Sequence, residues 1–358
     1  MGVALKFEKQ IIGVIGFLAV CSLASAEAWP PLNPPNPLPI EWVMKQVFTR
    51  FPETHAKHRA YLAALERVPR GGTGDLRVQV ARHDAELVRL QALEHHLMLQ
   101  WQATQAFYEY VLAEKSVVLL ENHRRLVDAY LPAVKSRMGR RPGARDLAID
   151  AARLHTELLG LQQQRQEATL KLNMLMEHRL EAELPAAKLG GPSPMPADRD
   201  GLIRKALENG VAMRMSQVEV KRSGAAMELT HTPAATHEAA RTQDQRRATG
   251  ARTVASVIAL YTQARTKRGV LTIHEQEVRP RVEQQRAAAL AEYQGGRLEI
   301  TDLLDAYRAQ YLAEAESLQL HVGYEKALAD LTRETGTLPA YMEQKMSLKP
   351  LNVGKDRK

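Results

Sequence analysis

The sequence predicts an all-α protein made of long antiparallel helical hairpins in two repeats. Apolar residues recur at steps of three, four and seven over unusually long stretches, which is the periodicity of helices that bury one face. Glycine and proline gather at the few places that separate these stretches. Residues of the first half also recur in the second half at a fixed offset: Lys171 precedes Lys326, and Asp150 precedes Asp305, by 155 positions.

The first 26 residues have the pattern of a secretory signal peptide. Lys6 and Lys9 precede an apolar run over residues 11–20, and residues 24–26 read Ala-Ser-Ala, which predicts cleavage after Ala26. Lipidation of Cys21 is the alternative, although Val20 is a poor fit to a lipoprotein signal. Cys21 is the only cysteine, so the cleaved chain would hold no disulfide and no thiolate site.

The first repeat is expected over residues 40–183, after a proline-rich leader over residues 27–39. Its helices are predicted at 40–68, 75–138 and 145–183, with a break over 69–74 and a bend at Pro132. The turn Arg141-Pro142-Gly143 returns the chain after the second and longest helix. Such a long helix can bury its apolar stripe only against other long helices.

The second repeat is expected over residues 200–338, between a linker at 184–199 and a C-terminal tail at 339–358. Its helices are predicted at 200–229, 238–293 and 300–335, with Gly336 as the final helix stop. The two helix prolines, Pro132 and Pro280, are 148 positions apart, whereas the matched lysines are 155 apart. The difference of seven residues is two helical turns, so the apolar stripes of the two repeats stay in phase.

Composition and motifs exclude several classes of function. The formal net charge is +8, but the basic residues alternate with acidic residues along the helix faces. No nucleic-acid partner is therefore predicted. No catalytic constellation, phosphate loop or cofactor motif occurs, and the chain is therefore predicted not to be an enzyme. Side chains of the neighbouring His95 and His96 point about 100° apart on a helix, so no metal site is predicted. A periplasmic metal-binding protein is the weakest alternative.

The sharpest motif opens the last hairpin. It reads Tyr293-Gln294-Gly295-Gly296, then Ile300-Thr301-Asp302-Leu303-Leu304-Asp305-Ala306, and Tyr324-Glu325-Lys326-Ala327-Leu328 follows further on. This pattern resembles the C-terminal tip and ascending helix of TolC-type outer-membrane efflux proteins. Two further segments are similar to the end of that family's first repeat (172–176) and to the start of its second (201–209).

The resemblance implies a homotrimer in which three duplicated chains form a twelve-helix tunnel that docks on a periplasmic adaptor and an inner-membrane pump. It implies that Asp302 and Asp305 form an acidic ring at the tunnel entrance, with Tyr293 beside it. It also implies that the hairpin tips contact the adaptor; the tip residues are Arg141, Pro142, Gly143, Gly295, Gly296 and Arg297. The family arginine of the entrance would fall at Leu298, one place after Arg297.

One departure from the family pattern concerns membrane strands. A transmembrane strand needs about 9–11 alternating residues with aromatic girdles, and the two windows for such strands, 67–84 and 230–244, contain no Phe, Tyr or Trp. The β-barrel strands are therefore predicted to be absent or vestigial.

The sequence thus predicts an outer-membrane-factor-like tunnel component of an efflux or secretion system in a Gram-negative cell envelope, in the periplasm or outer membrane. The alternative is a barrel-less periplasmic coiled-coil scaffold without channel activity. Neither the exported substrate nor the cognate pump follows from the sequence.

Overall fold

A computed structural model describes residues 32–69, 71–72, 74–138 and 142–336, without the side chains of 133–148. The described residues form nine α-helices and one π-helical segment: α1 (Ile40–Arg50), α2 (Pro52–Glu66), α3 (Leu76–Met138), α4 (Pro142–Leu175), α5 (Arg199–Asn209), α6 (Val211–Thr230), α7 (Pro233–Ile273), the π segment (His274–Val278), α8 (Arg279–Gln294) and α9 (Ile300–Glu334). The predicted all-α fold is confirmed. The predicted signal peptide, Arg141 and the C-terminal tail lie outside the described residues.

Two helices that the sequence predicted as continuous are each divided. Phe51 separates α1 from α2 because its backbone is extended (φ −60°, ψ 116°) ahead of Pro52, which favours that conformation in the preceding residue. Gly210 separates α5 from α6 with φ −57° and ψ 132°. A β-carbon at Gly210 would lie 2.2 Å from the carbonyl oxygen of Ala206, so only glycine fits this junction.

Two predicted helix ends are also corrected. Helix α4 ends at Leu175 rather than at residue 183, because the amide of Asn173 donates to the carbonyls of Leu180 and Ala182 and holds the chain in a turn. Helix α7 begins at Pro233 rather than at residue 238. The Thr232 hydroxyl accepts the backbone N–H of Ala235, which caps the first turn.

The helix predicted over residues 238–293 contains the π segment, which the sequence analysis did not anticipate. Pro280 lies one turn beyond Gln276, lacks an N–H, and would press its ring against the Gln276 carbonyl in a regular α-helix. The wider π turn relieves that clash, so α7 and α8 remain one rod. Pro132, by contrast, lies inside α3, which runs on to Met138; the bend at Pro132 stays a prediction.

The long helices form two antiparallel hairpins. Helix α3 has 63 residues and is therefore a rod of about 95 Å. It pairs with α4 so that Leu120 packs near Leu158. Helix α9 pairs with the rod of α7, the π segment and α8, and the Nζ atom of Lys267 donates to the carbonyl of Gly323 at 3.1 Å.

The two hairpins pack side by side through α3 and α9. The Nε1 atom of Trp101 donates to Asp330 at 2.6 Å, and the rings of His123 and Tyr311 stack at 4.9 Å. The four rods therefore form a row in the order α4, α3, α9 and α7 with α8. The short helices pack beside this row: α1 and α2 lie on α3, α6 lies between α3 and α7, and α5 lies on α7.

Glu109 joins both repeats at the middle of the row. Its carboxylate accepts from the Nζ atom of Lys171 at 2.7 Å and from that of Lys326 at 3.0 Å. Burial raises the pKa of the Glu109 carboxyl, but the two lysine hydrogen bonds outweigh burial and hold the pKa below its ordinary value. The two lysines matched by sequence therefore stand at the same height on α4 and α9, which supports the duplication.

We expect Glu109→Gln to lower the free energy of unfolding by about 1 kcal/mol, because two partly exposed ion pairs contribute roughly half a kcal/mol each. Urea denaturation at low salt measures this difference. Glu167→Gln removes an exposed carboxylate on α4 and serves as the control. An equal loss in both variants would contradict a bridging role for Glu109.

The main core lies at mid-length and also holds the chain segments around the row. Buried residues of α1, α3 and α4 surround Phe107, which is 1% exposed. Leu38 enters the same cluster and pairs with the linker through a single isolated bridge to Ala187. The described residues of the two windows 67–84 and 230–244 are helical, turn or irregular. No described helix is long and apolar enough to cross a membrane.

Candidate functional site

The tip of the second hairpin is a glycine-dependent turn. The backbone N–H of Arg297 donates to the Glu292 carbonyl at 2.9 Å, and that of Gly296 donates to the Tyr293 carbonyl at 3.0 Å. These bonds close the end of α8, and Gly296 has a φ of +71°. The left-handed conformation favours glycine, so the Gly295-Gly296 pair ends the helix as the motif predicts.

Arg297 lies over this turn. Its side chain is exposed, and a β-carbon on Gly295 would lie 3.5 Å from the guanidinium carbon. No ion pair joins Arg297 to a carboxylate among the described residues. The guanidinium therefore packs on the turn, and within one chain it does not restrain the acidic pair.

Asp302 and Asp305 lie on one exposed face at the start of α9. The intervening Leu303 and Leu304 are buried, so the two carboxylates point away from the core. Residues three apart share a helix face, and Asp302 lies in the first turn, where the helix dipole favours an anion. Within the described part of the chain, neither carboxylate forms a hydrogen bond or an ion pair.

Tyr293 does not contact these aspartates within the chain. Its ring packs edge-on against Tyr130 of α3, with 6.3 Å between the ring centroids. This contact brings the tip of the second hairpin to the same end of the row as the end of α3. Pro142 is the first residue of α4 and Gly143 follows in its first turn, so the backbone of the first tip lies at that end as well.

A buried carboxylate at mid-length was missed by the sequence analysis. Glu325 on α9 is 6% exposed and accepts hydrogen bonds from the backbone N–H of Ser193 at 2.7 Å and from the Ser193 hydroxyl at 2.9 Å. The hydroxyl of Tyr108 donates to the same carboxylate at 3.3 Å. Burial raises the pKa of Glu325, but hydrogen bonds from His321 and Ser193 outweigh it and lower the pKa overall.

Glu325 anchors the linker between the repeats to α3 and α9, and the Tyr324 hydroxyl donates to the carbonyl of Ser193 at 2.9 Å. The sequence signal was an acidic residue next to the apolar positions Val322 and Leu328 of α9. Its partners lie 132 and 217 positions away, so no local pattern could identify them.

The histidines considered as metal ligands have other contacts. His95 lies 3.5 Å from the Glu53 carboxylate, and the ring of His96 stacks on Phe48. Within the described residues, no three metal-ligating side chains converge on a point.

No protein-family model and no curated protein matches the sequence. Solved structures match the fold, however. VceC, an outer membrane protein of Vibrio cholerae, has a TM-score of 0.63 at 12% identity, over 83% of this chain and 96% of VceC. CusC, described for its transmembrane channel formation, has a TM-score of 0.61 at 10% identity, over 88% of this chain and 96% of CusC. The CmeC outer membrane channel of Campylobacter jejuni has a TM-score of 0.57 at 9% identity, over 87% of each chain.

The chain therefore has the helical fold of the TolC-like outer-membrane channels, and the likeness predicted from the tip motif is confirmed at the level of fold. The prediction that the chain is not an enzyme agrees with this result, because these similar structures are membrane proteins and channels.

Proposed function

We propose that this protein is the tunnel-forming outer component of a tripartite export system. Three copies assemble around one axis, and the hairpin tips dock on a periplasmic adaptor that is coupled to an inner-membrane pump. The chain reaches the envelope of a Gram-negative cell through the signal peptide at residues 1–26. The similarity in fold to outer-membrane channels supports this function. The main observation behind it is that both edges of the row of rods are exposed.

Both edges of the row expose large apolar side chains. On α4, Leu159 is 54% exposed and Ile149 is 51% exposed. On the opposite edge, Ile273 and Val270 of α7 are 56% and 45% exposed. Apolar residues on both edges of a row of rods require a cover. A closed ring of copies covers both edges at once, because each α4 then meets the α7 of the next copy.

The acidic pair gives such a ring a charged entrance. Asp302 and Asp305 stand near the tip, exposed and without partners among the described residues. Three copies would place six carboxylates around the axis. Charged rings of this kind select for cations and against anions. We therefore assign Asp302 and Asp305 to the entrance, with Tyr293 at the same end of the rods against Tyr130. The adaptor-contacting tips are assigned to Arg141, Pro142, Gly143, Gly295, Gly296 and Arg297.

Cation binding by the purified trimer tests this assignment, because it does not require the chain itself to span a bilayer. We expect Asp302→Asn with Asp305→Asn to weaken the binding of a trivalent cation at least about threefold, because the ring of fixed negative charge at the entrance is lost. Isothermal titration at low salt measures the affinity. Asp200→Asn on α5, far from the tip, is the control. An unchanged affinity in the double variant would contradict the acidic entrance, and a chain that never forms a trimer would contradict the tunnel.

A further inference from the structure

We propose that α7 of one copy docks into a groove on α4 of the next copy, and that opposite charges align the two. The α7 stripe consists of Ile258, Thr262, Arg265, Gly269 and Ile273. The α4 groove lies between α4 and residues 180–184. This proposal rests on the proposed function, since it names the surfaces through which copies of this chain would form the ring.

The α7 stripe is a continuous exposed face of the helix. Its members follow one another at steps of four, three, four and four residues, which keeps them on one side of an α-helix. Ile258 is 39% exposed and Ile273 is 56% exposed. Val257 and Leu271, both 0% exposed, lie on the opposite side and pack within the chain. The stripe is thus the outer face of an edge helix.

Gly269 in the middle of the stripe has no role inside its own chain. A β-carbon there would meet no atom within 4 Å, and the residue lies in regular helix. Glycine inside a helix is less favourable than alanine, because its backbone loses more conformational freedom. A partner helix that approaches the backbone closely explains the glycine, because only a missing side chain leaves that space.

The α4 groove has the size and lining to accept such a face. It encloses about 810 Å³ between one side of α4 and the segment that follows it. Leu159, Leu170 and Leu180 supply apolar surface, and Leu180 is 40% exposed. Glu181 and Glu183 stand on the lip formed by residues 180–184, and both are exposed.

The charges of the two surfaces are opposite. Residues 245–274 of the α7 edge contain six Arg or Lys residues and no Asp or Glu. Arg265 is exposed and has no ion pair within the described residues. The same holds for Glu181 and Glu183 on the lip. Arg165 also lines the groove, so the lining retains a net charge of −1.

The stripe and the groove stand at the same height on opposite edges of the row. Lys171 of α4 and Lys326 of α9 both bind Glu109, so α4 residues are level with α9 residues 155 positions later. The contacts of Lys267 with Gly323 and of His274 with Glu316 give the register between the antiparallel helices α7 and α9. Residues 265–273 of α7 are therefore level with about 162–170 of α4, and a head-to-tail contact brings them together without a shift along the axis.

Charge reversal in the full chain tests the proposal. We expect Arg265→Glu to raise the dissociation constant of the oligomer at least tenfold, and Glu181→Arg with Glu183→Arg to do the same. All three changes combined should restore most of the affinity, because the attraction is rebuilt with reversed signs. Analytical ultracentrifugation at low salt measures the oligomer. Arg246→Glu, on the same helix but outside the stripe, is the matched control.

The glycine supplies an independent test. Gly269→Leu should weaken the oligomer at least tenfold while the melting temperature of the monomer stays equal or rises, since leucine favours helix. Gly224→Leu is the matched control, because Gly224 is also a helical glycine with open space around it. A loss of monomer stability in Gly269→Leu would show a role for Gly269 inside the chain and contradict the close approach of a partner helix there.

The outcomes separate the two proposals. If the wild-type chain forms a ring but the triple variant stays dissociated, or Arg246→Glu weakens the ring as much as Arg265→Glu, then the docking surfaces are wrong and the proposed function stands. If the wild-type chain remains a monomer at every concentration in detergent and in buffer, both proposals fail.

Discussion

Replacing Glu325 by alanine is expected to lower the free energy of unfolding by about 3 kcal/mol. Hydrogen bonds to a charged group contribute about 1.5–3 kcal/mol each, and the partly buried Ser193 N–H would lose its partner. Ser193 holds the linker between the repeats, so that linker should also detach. Urea denaturation measures the loss, and protease cleavage within residues 190–196 measures the exposure of the linker.

Two variants decide whether burial of the carboxylate causes this effect. Glu325→Gln keeps the size and one acceptor oxygen, so it should cost only about 1 kcal/mol. Glu316→Ala removes a carboxylate that is 62% exposed on the same helix and should cost less than Glu325→Gln. A loss in Glu325→Ala no larger than in Glu316→Ala would show that the anchor contributes nothing.

Acid is expected to destabilise the fold before its carboxylates are protonated. Burial lowers the pKa of several described histidines, which are His83, His95, His96, His123 and His178. The unfolded chain therefore binds more protons than the folded chain as the pH falls below about 6.5, the ordinary histidine value. The contribution of these neutral histidines to the free energy of unfolding is fully present above that pH and is lost progressively below it. Thermal unfolding at pH 7.5, 6.5 and 5.5 should give steadily lower melting temperatures.

His96 is expected to carry much of this dependence. It is 3% exposed, its Nδ1–H donates to the Ala92 carbonyl, and its ring stacks on Phe48. His96→Phe keeps an aromatic ring and should flatten the fall of stability between pH 7.5 and 5.5. His237→Gln, at an exposed position on α7, is the control. An unchanged slope in His96→Phe would assign the effect to other groups.

Helical periodicity and breaker residues predicted most of the fold. Helix α3 and helix α9 were predicted within one residue of their ends, because long apolar stripes and glycine stops are local signals. The break at Phe51 and the π segment were missed. Each of them involves a proline, and Pro52, Pro132 and Pro280 have three different outcomes: a break at the preceding residue, a continuous α-helix and a π segment. The presence of a proline therefore does not by itself determine which outcome a helix adopts.

In the candidate site, too, the local features could be predicted from the sequence and the long-range contacts could not. The exposed face of Asp302 and Asp305 and the turn at Gly296 follow from spacing and from backbone preference. The contact of Tyr293 with Tyr130 and the anchoring of Ser193 by Glu325 join residues more than 130 positions apart. Only the register between the two hairpins determines these contacts.

The amino-terminal part of the described chain departs from the rods at their waist. Leu38 lies in the same buried cluster as Phe107, the central residue of α3, and Leu32 packs against that cluster, so the departure lies about 45 Å from either end of α3. Cys21 precedes Leu32 by 11 residues, and a fully extended segment of that length spans at most about 40 Å. A lipid carried on Cys21 would therefore anchor the protein in a bilayer that lies nearer to the waist of the rods than to their ends.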